Sequence, residues 1–246
     1  MGTRTLTQTL AEADSARVVQ LSDTHLTPRH GVPDTLQWLL DGINAAPPDL
    51  LVVSGDIVFE DPDDDADREF AHAVLTDVPC PVLAIPGNHD IGFYGEDEHR
   101  KRRINAFADT WGSDRFAVDV AGWRLVGANA YLLGDPEHDE WLHDALTTDI
   151  PVAVFVHQPL EGEPNDGWEM PDTARSAFHR AVVGADIRLV ASGHRHQSRT
   201  DGVAVWAPST TILGLEKYQP DSDTSLGAVE YTFRRDGDVT TRFLRP

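Results

Sequence analysis

The sequence predicts an α/β fold from three observations: short apolar runs, helical patterns between them, and polar clusters directly after several of the runs. A chain of 246 residues can bury one proper core, so we expect a single domain over 1–246 with an N-terminal extension over 1–16. Continuous apolar runs of this length are typical of strands buried on both faces of a helix-covered sheet. The runs are 18–21, 50–54, 82–85, 152–156 and 187–191.

Helical patterns fill the gaps between these runs. Asp34 is a suitable N-cap for a helix whose apolar residues recur at helical spacing and which ends before Pro47. Pro136 and Pro171 stand where the first turn of a helix tolerates proline. The other predicted helices are 66–75, 98–111, 136–146 and 171–183.

Further strands are predicted around and after the last helices. Residues 116–120 and 124–128 flank Ala121 and Gly122 and indicate a hairpin. Residues 228–233 and 239–243 indicate a second strand pair with a turn at Asp236 and Gly237, and residues 203–206 indicate one more strand.

The charge of the chain is strongly negative, with 41 Asp and Glu residues against 20 Lys and Arg. An acidic surface repels nucleic acid and anionic lipid, so we expect neither a nucleic-acid polymer nor a membrane as a partner. Lys101 and Lys217 are the only lysines. Acid-rich, lysine-poor composition is typical of salt-adapted, halophilic proteins, and a high-GC bacterial source is the alternative.

Cysteine count and hydropathy bound the cellular location. The single cysteine, Cys80, excludes a disulfide within the chain. No apolar run reaches the roughly 18 residues of a membrane span, and residues 1–16 lack the apolar segment of a signal peptide. We therefore expect a cytoplasmic protein.

Seven side chains of metal-ligand type follow the apolar runs. Open α/β sheets place their sites at the carboxyl ends of strands, so these side chains should gather there. Carboxylate, imidazole and amide groups in this mixture suit two divalent metal ions, and two adjacent metals promote in-line displacement at phosphorus. The seven candidates are Asp23, His25, Asp56, Asn88, His157, His194 and His196.

Two of the clusters have an i, i+2 spacing. In an extended chain after a strand, Asp23 and His25 would point to the same side, and so would His194 and His196. Both members of each pair could then reach one ion. Alone, Asp23 and His25 would be better explained as a turn aspartate and a surface histidine, whereas two histidines at this spacing after a glycine are moderately specific.

The remaining clusters each hold one candidate ligand. Asp56 follows a glycine that permits close backbone approach, and Asn88 is a neutral amide, an uncommon ligand. His89 should project differently from Asn88, towards a substrate. His157 ends an apolar run and, taken alone, would be a core histidine. Five clusters in this order favour one shared site over five unrelated residues.

The order D-x-H, G-D, G-N-H-D, H and G-H-x-H resembles the calcineurin-like metallophosphoesterase superfamily, and within it the class III cyclic-nucleotide phosphodiesterase branch. Glycerophosphodiesterases and a lipid A precursor pyrophosphatase are similar too. The resemblance implies a four-layer α/β/β/α sandwich and two metal ions, Fe, Mn, Zn or Co. It implies a first metal held by Asp23, His25, Asp56 and His196, and a second held by Asp56, Asn88, His157 and His194.

This resemblance also implies a reaction. It is hydrolysis of a small phosphodiester, such as a cyclic nucleotide or a glycerophosphodiester, by a metal-bridging hydroxide, with His89 protonating the leaving oxygen. The alternatives are a phosphomonoesterase or pyrophosphatase acting on a nucleotide or lipid headgroup, and an inactive metal-binding scaffold. The resemblance leaves open whether the chain forms a homodimer.

One departure bears on the substrate. Protein phosphatases of the superfamily carry an arginine and a second aspartate just after the bridging aspartate. Phe59 stands here in place of the aspartate that would orient His89. This argues against protein phosphatase activity.

Several residues near the clusters have open roles. Trp168 could stack on a nucleobase or cover the edge of the core, and Arg195 could meet a phosphate or face solvent. The basic run 99–103 predicts a solvated helix face, with a phosphate site as the alternative, and the acidic run 62–67 predicts a solvated loop. The histidines expected at the surface are His30, His72, His138, His143 and His179.

Overall fold

The computed structural model describes residues 10, 12–59, 61–94, 98–161, 168–212 and 223–246. Two β-sheets face each other, and α-helices cover their outer faces. The predicted four-layer α/β/β/α sandwich is confirmed. Within the described ranges, no helix is long and apolar enough to cross a membrane.

The first sheet combines parallel and antiparallel pairs. Its strands are β1 Ser15–Leu21, β2 Leu50–Ser54, β3 Val82–Ile85, β10 Ala228–Arg234 and β11 Val239–Leu244. Their order is β11-β10-β1-β2-β3, and β1, β2 and β3 are parallel. β10 is antiparallel to its neighbour β1, and β11 is antiparallel to β10. The carboxyl ends of three consecutive parallel strands therefore meet along one edge.

The second sheet repeats this arrangement. Its strands are β4 Phe116–Val120, β5 Trp123–Gly127, β6 Val152–Phe155, β7 Ile187–Ser192, β8 Arg199–Asp201 and β9 Ala204–Trp206. Their order is β4-β5-β6-β7-β9-β8, and β5, β6, β7 and β9 are parallel. Hairpins at both edges close it with antiparallel pairs.

The helices pack through apolar faces. They are α1 Asp34–Ala45, α2 Asp65–Thr76, α3 Asn88–Ile91, α4 Glu98–Trp111, α5 Pro136–Leu146 and α6 Asp172–Ala181, with a 3-10 helix at Ala130–Leu132. In α1 the buried residues Leu36, Leu39, Leu40 and Ile43 follow the i, i+3, i+4, i+7 spacing of one helix face.

Two cores hold the layers together. The core between the sheets contains large aromatic side chains from both, and the Trp123 and Phe233 rings meet edge to face with their centroids 5.1 Å apart. A second core lies between the outer sheet faces and the helices. Aromatic pairs of this kind add about 0.5–1.5 kcal/mol to the burial of their area.

The structure departs from the predicted elements in several places. Pro33 is the N-cap of α1, so Asp34 is the first helical residue instead of the cap, and the 3-10 helix at Ala130–Leu132 was not predicted. β1 begins at Ser15, so two residues of the expected extension belong to a strand, and 1–9 and 11 lie outside the described residues. The helix α3 and the edge strand β8 were not predicted. In the acidic run, Asp64 caps α2, so the expected loop ends earlier.

The basic run 99–103 lies on a solvated helix face, as predicted, because His99, Lys101 and Arg102 are exposed. Asp63 accepts hydrogen bonds from Arg102 and Arg103 of α4, which ties the basic run to the acidic run. The expectation for one histidine was wrong. His138 is 1 % exposed, whereas a surface position was expected. Its Nδ1 accepts a hydrogen bond from Arg115, which lies over the Trp141 ring.

Candidate metal centre

The candidate site lies where the parallel strands of both sheets end. Asp23 and His25 follow β1, Asp56 follows β2 and Asn88 follows β3. From the second sheet, His157 follows β6, and the histidine pair follows β7. Six of the seven predicted ligands are buried and His196 is half-buried. The structure therefore brings all seven to one place.

Ligand atoms within this site fall into overlapping groups whose members lie within 4.8 Å of one another. The groups are Asp23, His25 and His196; Asp56, His157 and His194; and His25, Asp56 and His89. The third group links the other two, because it shares His25 with the first and Asp56 with the second. His194 and His196, only two residues apart, belong to different groups.

The first group is compact. His196 Nε2 lies 3.4 Å from His25 Nε2 and 3.2 Å from Asp23 Oδ1. Burial works to raise the pKa of Asp23, but the neighbouring His196 outweighs it and lowers the pKa to about 2. Burial lowers the pKa of His25 to about 4. The group therefore offers an ionised carboxylate and a neutral imidazole near pH 7.

The second group contains an oriented histidine. His157 Nδ1 donates to the Ser54 carbonyl at 2.8 Å, so Nε2 faces Asp56 Oδ2 at 3.2 Å. Burial opposes it, but Asp56 raises the pKa of His157 to about 9, and His157 holds the pKa of Asp56 well below its ordinary value. Burial lowers the pKa of His194 to about 3.

This geometry fits a metal ion. His157 Nε2 is buried and faces the Asp56 carboxylate at 3.2 Å, but the angle of this contact is not that of a hydrogen bond. A buried carboxylate needs a positive charge beside it, which either a proton on His157 or a metal cation supplies. A histidine that donates its other nitrogen to a carbonyl is oriented as metal-ligating histidines are.

Most of the predicted ligands share an uncommon backbone conformation, a positive φ angle. Six described non-glycine residues have a positive φ, and five of them are predicted ligands. Those five are Asp23 at 53°, His25 at 43°, Asp56 at 51°, His194 at 67° and His196 at 53°. The extended conformation expected for the two i, i+2 pairs is therefore wrong, because the chain turns sharply after each strand. Such conformations cost about 1–3 kcal/mol each and concentrate at functional sites.

Two motif glycines allow the ligand loops to meet. A Cβ at Gly87 would collide with the Asp56 side chain and backbone, and a Cβ at Gly193 would collide with Ser22 and Asp23. Asp90 ties the same loops together, because its carboxylate accepts from the backbone N–H groups of Ile57 at 3.0 Å and Gly87 at 2.7 Å. Asp90 ends the G-N-H-D motif, yet sequence reasoning gave it no role.

Asn88 has a partner that sequence reasoning missed. The Tyr131 hydroxyl donates to Asn88 Oδ1 at 3.1 Å, and Tyr131 is 3 % exposed. The Asn129 side chain accepts from the Tyr131 backbone N–H and so holds the 3-10 helix that carries this tyrosine. Tyr131 follows the carboxyl end of β5, so the rule that located the ligands could have found it.

A backbone carbonyl orients the His89 ring, although Phe59 stands in place of the orienting aspartate of protein phosphatases. Its Nδ1 donates to the backbone carbonyl of Phe59 at 2.8 Å, and its backbone N–H donates to Asp56 Oδ1 at 2.8 Å. The Phe59 and His89 rings are parallel to within 7°, with centroids 6.3 Å apart. The residue that replaced the aspartate thus orients His89 through its main chain.

A cavity of about 350 Å³ opens over the site. Its walls are His25, Asp56, Phe59, Asn88, His89, Phe93, Trp168, His194, His196 and Ile212. Trp168 lies beside His194, with ring centroids 5.2 Å apart. Arg195 does not line the cavity and is only 4 % exposed, so the expected solvent-facing position was wrong; its guanidinium lies over the Trp206 ring.

A two-sheet α/β fold with carboxylates and imidazoles gathered at the strand ends is typical of metallophosphoesterases. The sequence profile of the calcineurin-like phosphoesterase family matches residues 16–198, more than half of the chain. The protein belongs to this family.

Two curated relatives and one solved structure show the range of similarity. Serine/threonine-protein phosphatase CPPED1 of Bos taurus is 29 % identical over 173 residues, which cover 61 % of this chain and 54 % of the relative. A probable cyclic nucleotide phosphodiesterase of Psychrobacter arcticus is 25 % identical over 187 residues, covering 70 % and 66 %. The chain thus spans about half the length of the first relative.

A solved structure is similar in fold. A dimetal phosphatase from Danio rerio superposes with a TM-score of 0.65 at 12 % identity, covering 94 % of this chain and 96 % of that chain. This similarity concerns the fold alone.

Proposed function

We propose that the protein is a phosphodiesterase that uses two metal ions, of Mn, Fe, Zn or Co, to hydrolyse a small phosphodiester. The observation that carries this proposal is the pair of ligand groups at the strand ends, which a third group links through His25 and Asp56. The proposed ligands are Asp23, His25, Asp56, Asn88, His157, His194 and His196. Two bound cations would neutralise charge on the phosphoryl oxygens and activate a water molecule.

The protein's own residues supply the rest of the chemistry. Asp56 belongs to the second group and also lies near His25 of the first, so we propose that it serves both metal ions, and Asn88 lines the same cavity. His89 lines the same cavity, and the Phe59 carbonyl orients its ring. We propose that His89 contacts the phosphoryl group and protonates the leaving oxygen, a role that suits an imidazole near neutral pH.

The cavity lining supports a diester over a monoester. No lysine or arginine is among the described residues that line it. A phosphodiester carries one negative charge, whereas a monoester near pH 7 carries up to two. The net charge of −21 supports a small substrate over a nucleic-acid polymer. The likeness to the Psychrobacter arcticus phosphodiesterase agrees with this choice.

A phosphatase is the second candidate. The likeness to a protein named as a serine/threonine-protein phosphatase favours it. Against it stands Phe59, at the position where protein phosphatases of the superfamily carry an aspartate.

Comparing bis-p-nitrophenyl phosphate with p-nitrophenyl phosphate, with Mn²⁺ in molar salt, tests the proposal. We expect the diester to be preferred, and Asp56→Ala and Asn88→Ala each to lose at least about 100-fold in turnover along with bound metal. Asp109→Ala is the control, because it removes an exposed carboxylate of α4.

Each other result has a definite meaning. Full turnover in Asp56→Ala would contradict the site. A monoester preference would replace the proposal with the phosphatase. A protein that binds metal but hydrolyses neither compound would support the inactive scaffold.

A further inference from the structure

We propose that Trp168 and Phe93 form a binding surface for a planar aromatic ester arm, so that the enzyme selects singly charged diesters carrying such an arm. This inference rests on the proposed phosphodiesterase function. It names the class of substrate that this site would take: a phosphodiester with one aryl or heteroaryl arm and no second anionic group.

Two chemically different sets of residues line the cavity. Six of its lining residues belong to the ligand groups or their immediate neighbours, and the other four are all apolar. Those four are Phe59, Phe93, Trp168 and Ile212. A polar arm such as glycerol that lay against these apolar residues would lose hydrogen bonds to water.

Phe93 is unusually exposed for such a residue. Its side chain is 66 % exposed, and of the four large apolar residues recorded as exposed in the described structure it alone lines this cavity. An apolar surface beside a polar centre marks a ligand site, because a bound apolar group removes that surface from water.

Trp168 is held in place by the segment that carries a proposed metal ligand. Gln158, next to His157, is 5 % exposed, and its side-chain amide donates to the carbonyls of Trp168 at 3.4 Å and Glu169 at 3.0 Å. The Met170 N–H donates to the Pro159 carbonyl at 2.8 Å. These bonds hold the main chain at Trp168, and the His194 ring lies beside the indole, so the indole loses less freedom when a ligand ring stacks on it.

The charged residues of the cavity lining also bear on which substrates fit. The described lining offers Asp56 as its one carboxylate and neither lysine nor arginine as a counter-ion for a second anionic group. Among the described lining residues, a second phosphate on the substrate would meet apolar side chains and no basic partner, which is costly. A single phosphodiester charge with uncharged arms suits this lining.

Two diesters with the same leaving group test the proposal: phenyl p-nitrophenyl phosphate and methyl p-nitrophenyl phosphate. After correction for their rates of hydroxide-catalysed hydrolysis, we expect kcat/KM of the Mn²⁺-loaded enzyme to favour the phenyl ester by about tenfold or more, the size of effect that base stacking gives. Trp168→Leu and Phe93→Leu should each reduce this ratio. Trp38→Leu, which alters a half-exposed tryptophan outside the cavity, should leave it unchanged.

A binding measurement separates recognition from chemistry. Diphenylphosphinate and dimethylphosphinate carry one negative charge and no ester bond, so calorimetry with them reports binding alone. We expect tighter binding of the diphenyl compound, and loss of this preference in Trp168→Leu.

The outcomes distinguish the inference from the proposed function. Hydrolysis of both diesters at equal corrected kcat/KM, or a phenyl preference that survives both leucine variants, would overturn the inference and leave the phosphodiesterase intact. Hydrolysis of neither diester would overturn the proposed function, and the phosphinate titrations would then decide whether the aromatic surface exists.

Discussion

Asn88 shows how a single residue depends on its surroundings. A carboxamide has an oxygen end that can bind a metal and a nitrogen end that cannot, so its orientation must be set by a hydrogen bond. The Tyr131 hydroxyl sets it by donating to Oδ1. In the proposed metal site, Tyr131 would therefore act through Asn88 as a positioning residue.

Tyr131→Phe should lower the affinity for the second Mn²⁺ ion by about 10–100-fold and leave the first little changed, because the Asn88 side chain loses the partner that orients it. Calorimetric titration of Mn²⁺ into the metal-free protein measures both affinities.

Tyr94→Phe is the matched control for this change. The Tyr94 ring lies 4.8 Å from that of Tyr131, but its buried hydroxyl has no hydrogen-bond partner among the described residues. Equal affinities in the two variants would show that Tyr131 does not position Asn88.

At the scale of one element, α5 shows a pattern that was available in the sequence. His138, Leu142, Ala145 and Leu146 are its buried residues and follow the i, i+4, i+7, i+8 spacing of one helix face. The helix itself was predicted, but His138 was assigned to the surface from its polarity. Periodicity would have placed it correctly.

Burial of His138 predicts a pH dependence of stability. Burial, and then the positive Arg115, lower the pKa of His138 to about 4. The unfolded chain, with a histidine pKa of about 6.5, binds the proton first, so the free energy of unfolding falls as pH falls from about 6.5 to about 4, by up to about 3 kcal/mol.

Urea unfolding of the metal-free protein between pH 7 and pH 4.5 measures this slope. His138→Gln should flatten it, because the variant has no group at that position to protonate. His143→Gln, on the exposed side of the same helix, should keep the wild-type slope. A slope that His138→Gln leaves unchanged would refute the assignment.

At the scale of the whole molecule, charge opposes the compact state. With a net charge of −21, acidic side chains repel one another across the surface. Salt screens this repulsion, because it shortens the Debye length from about 10 Å at 0.1 M to about 3 Å at 1 M. We therefore expect the Tm of the metal-free protein at pH 7 to rise between 0.1 M and 1 M KCl.

The same measurement near pH 4.7, the isoelectric point of the sequence, is the control, since little net charge remains to be screened. Scanning calorimetry at both pH values gives the two salt slopes. A Tm at pH 7 that is flat or falls with KCl would show that self-repulsion is not a major term in this protein.

Much of the architecture could be predicted from the sequence. Apolar runs located β1, β2, β3, β6 and β7, because continuous burial requires continuous apolar sequence. The short edge strand β8 escaped prediction because its three residues are all exposed and carry no apolar signal. The four-layer arrangement came from the family resemblance, since no local pattern encodes the packing of one sheet on another.

For the site, the sequence by itself determined which side chains were available, because residue type and order along the chain are enough to recognise a ligand set. Only the tertiary structure decided which group each joins: His194 and His196 separate because positive φ angles turn the chain between them. It also decided that the Phe59 carbonyl orients His89 and that Tyr131 holds Asn88. Those contacts join residues 30 and 43 positions apart, and backbone angles and long-range contacts leave no mark on local residue order.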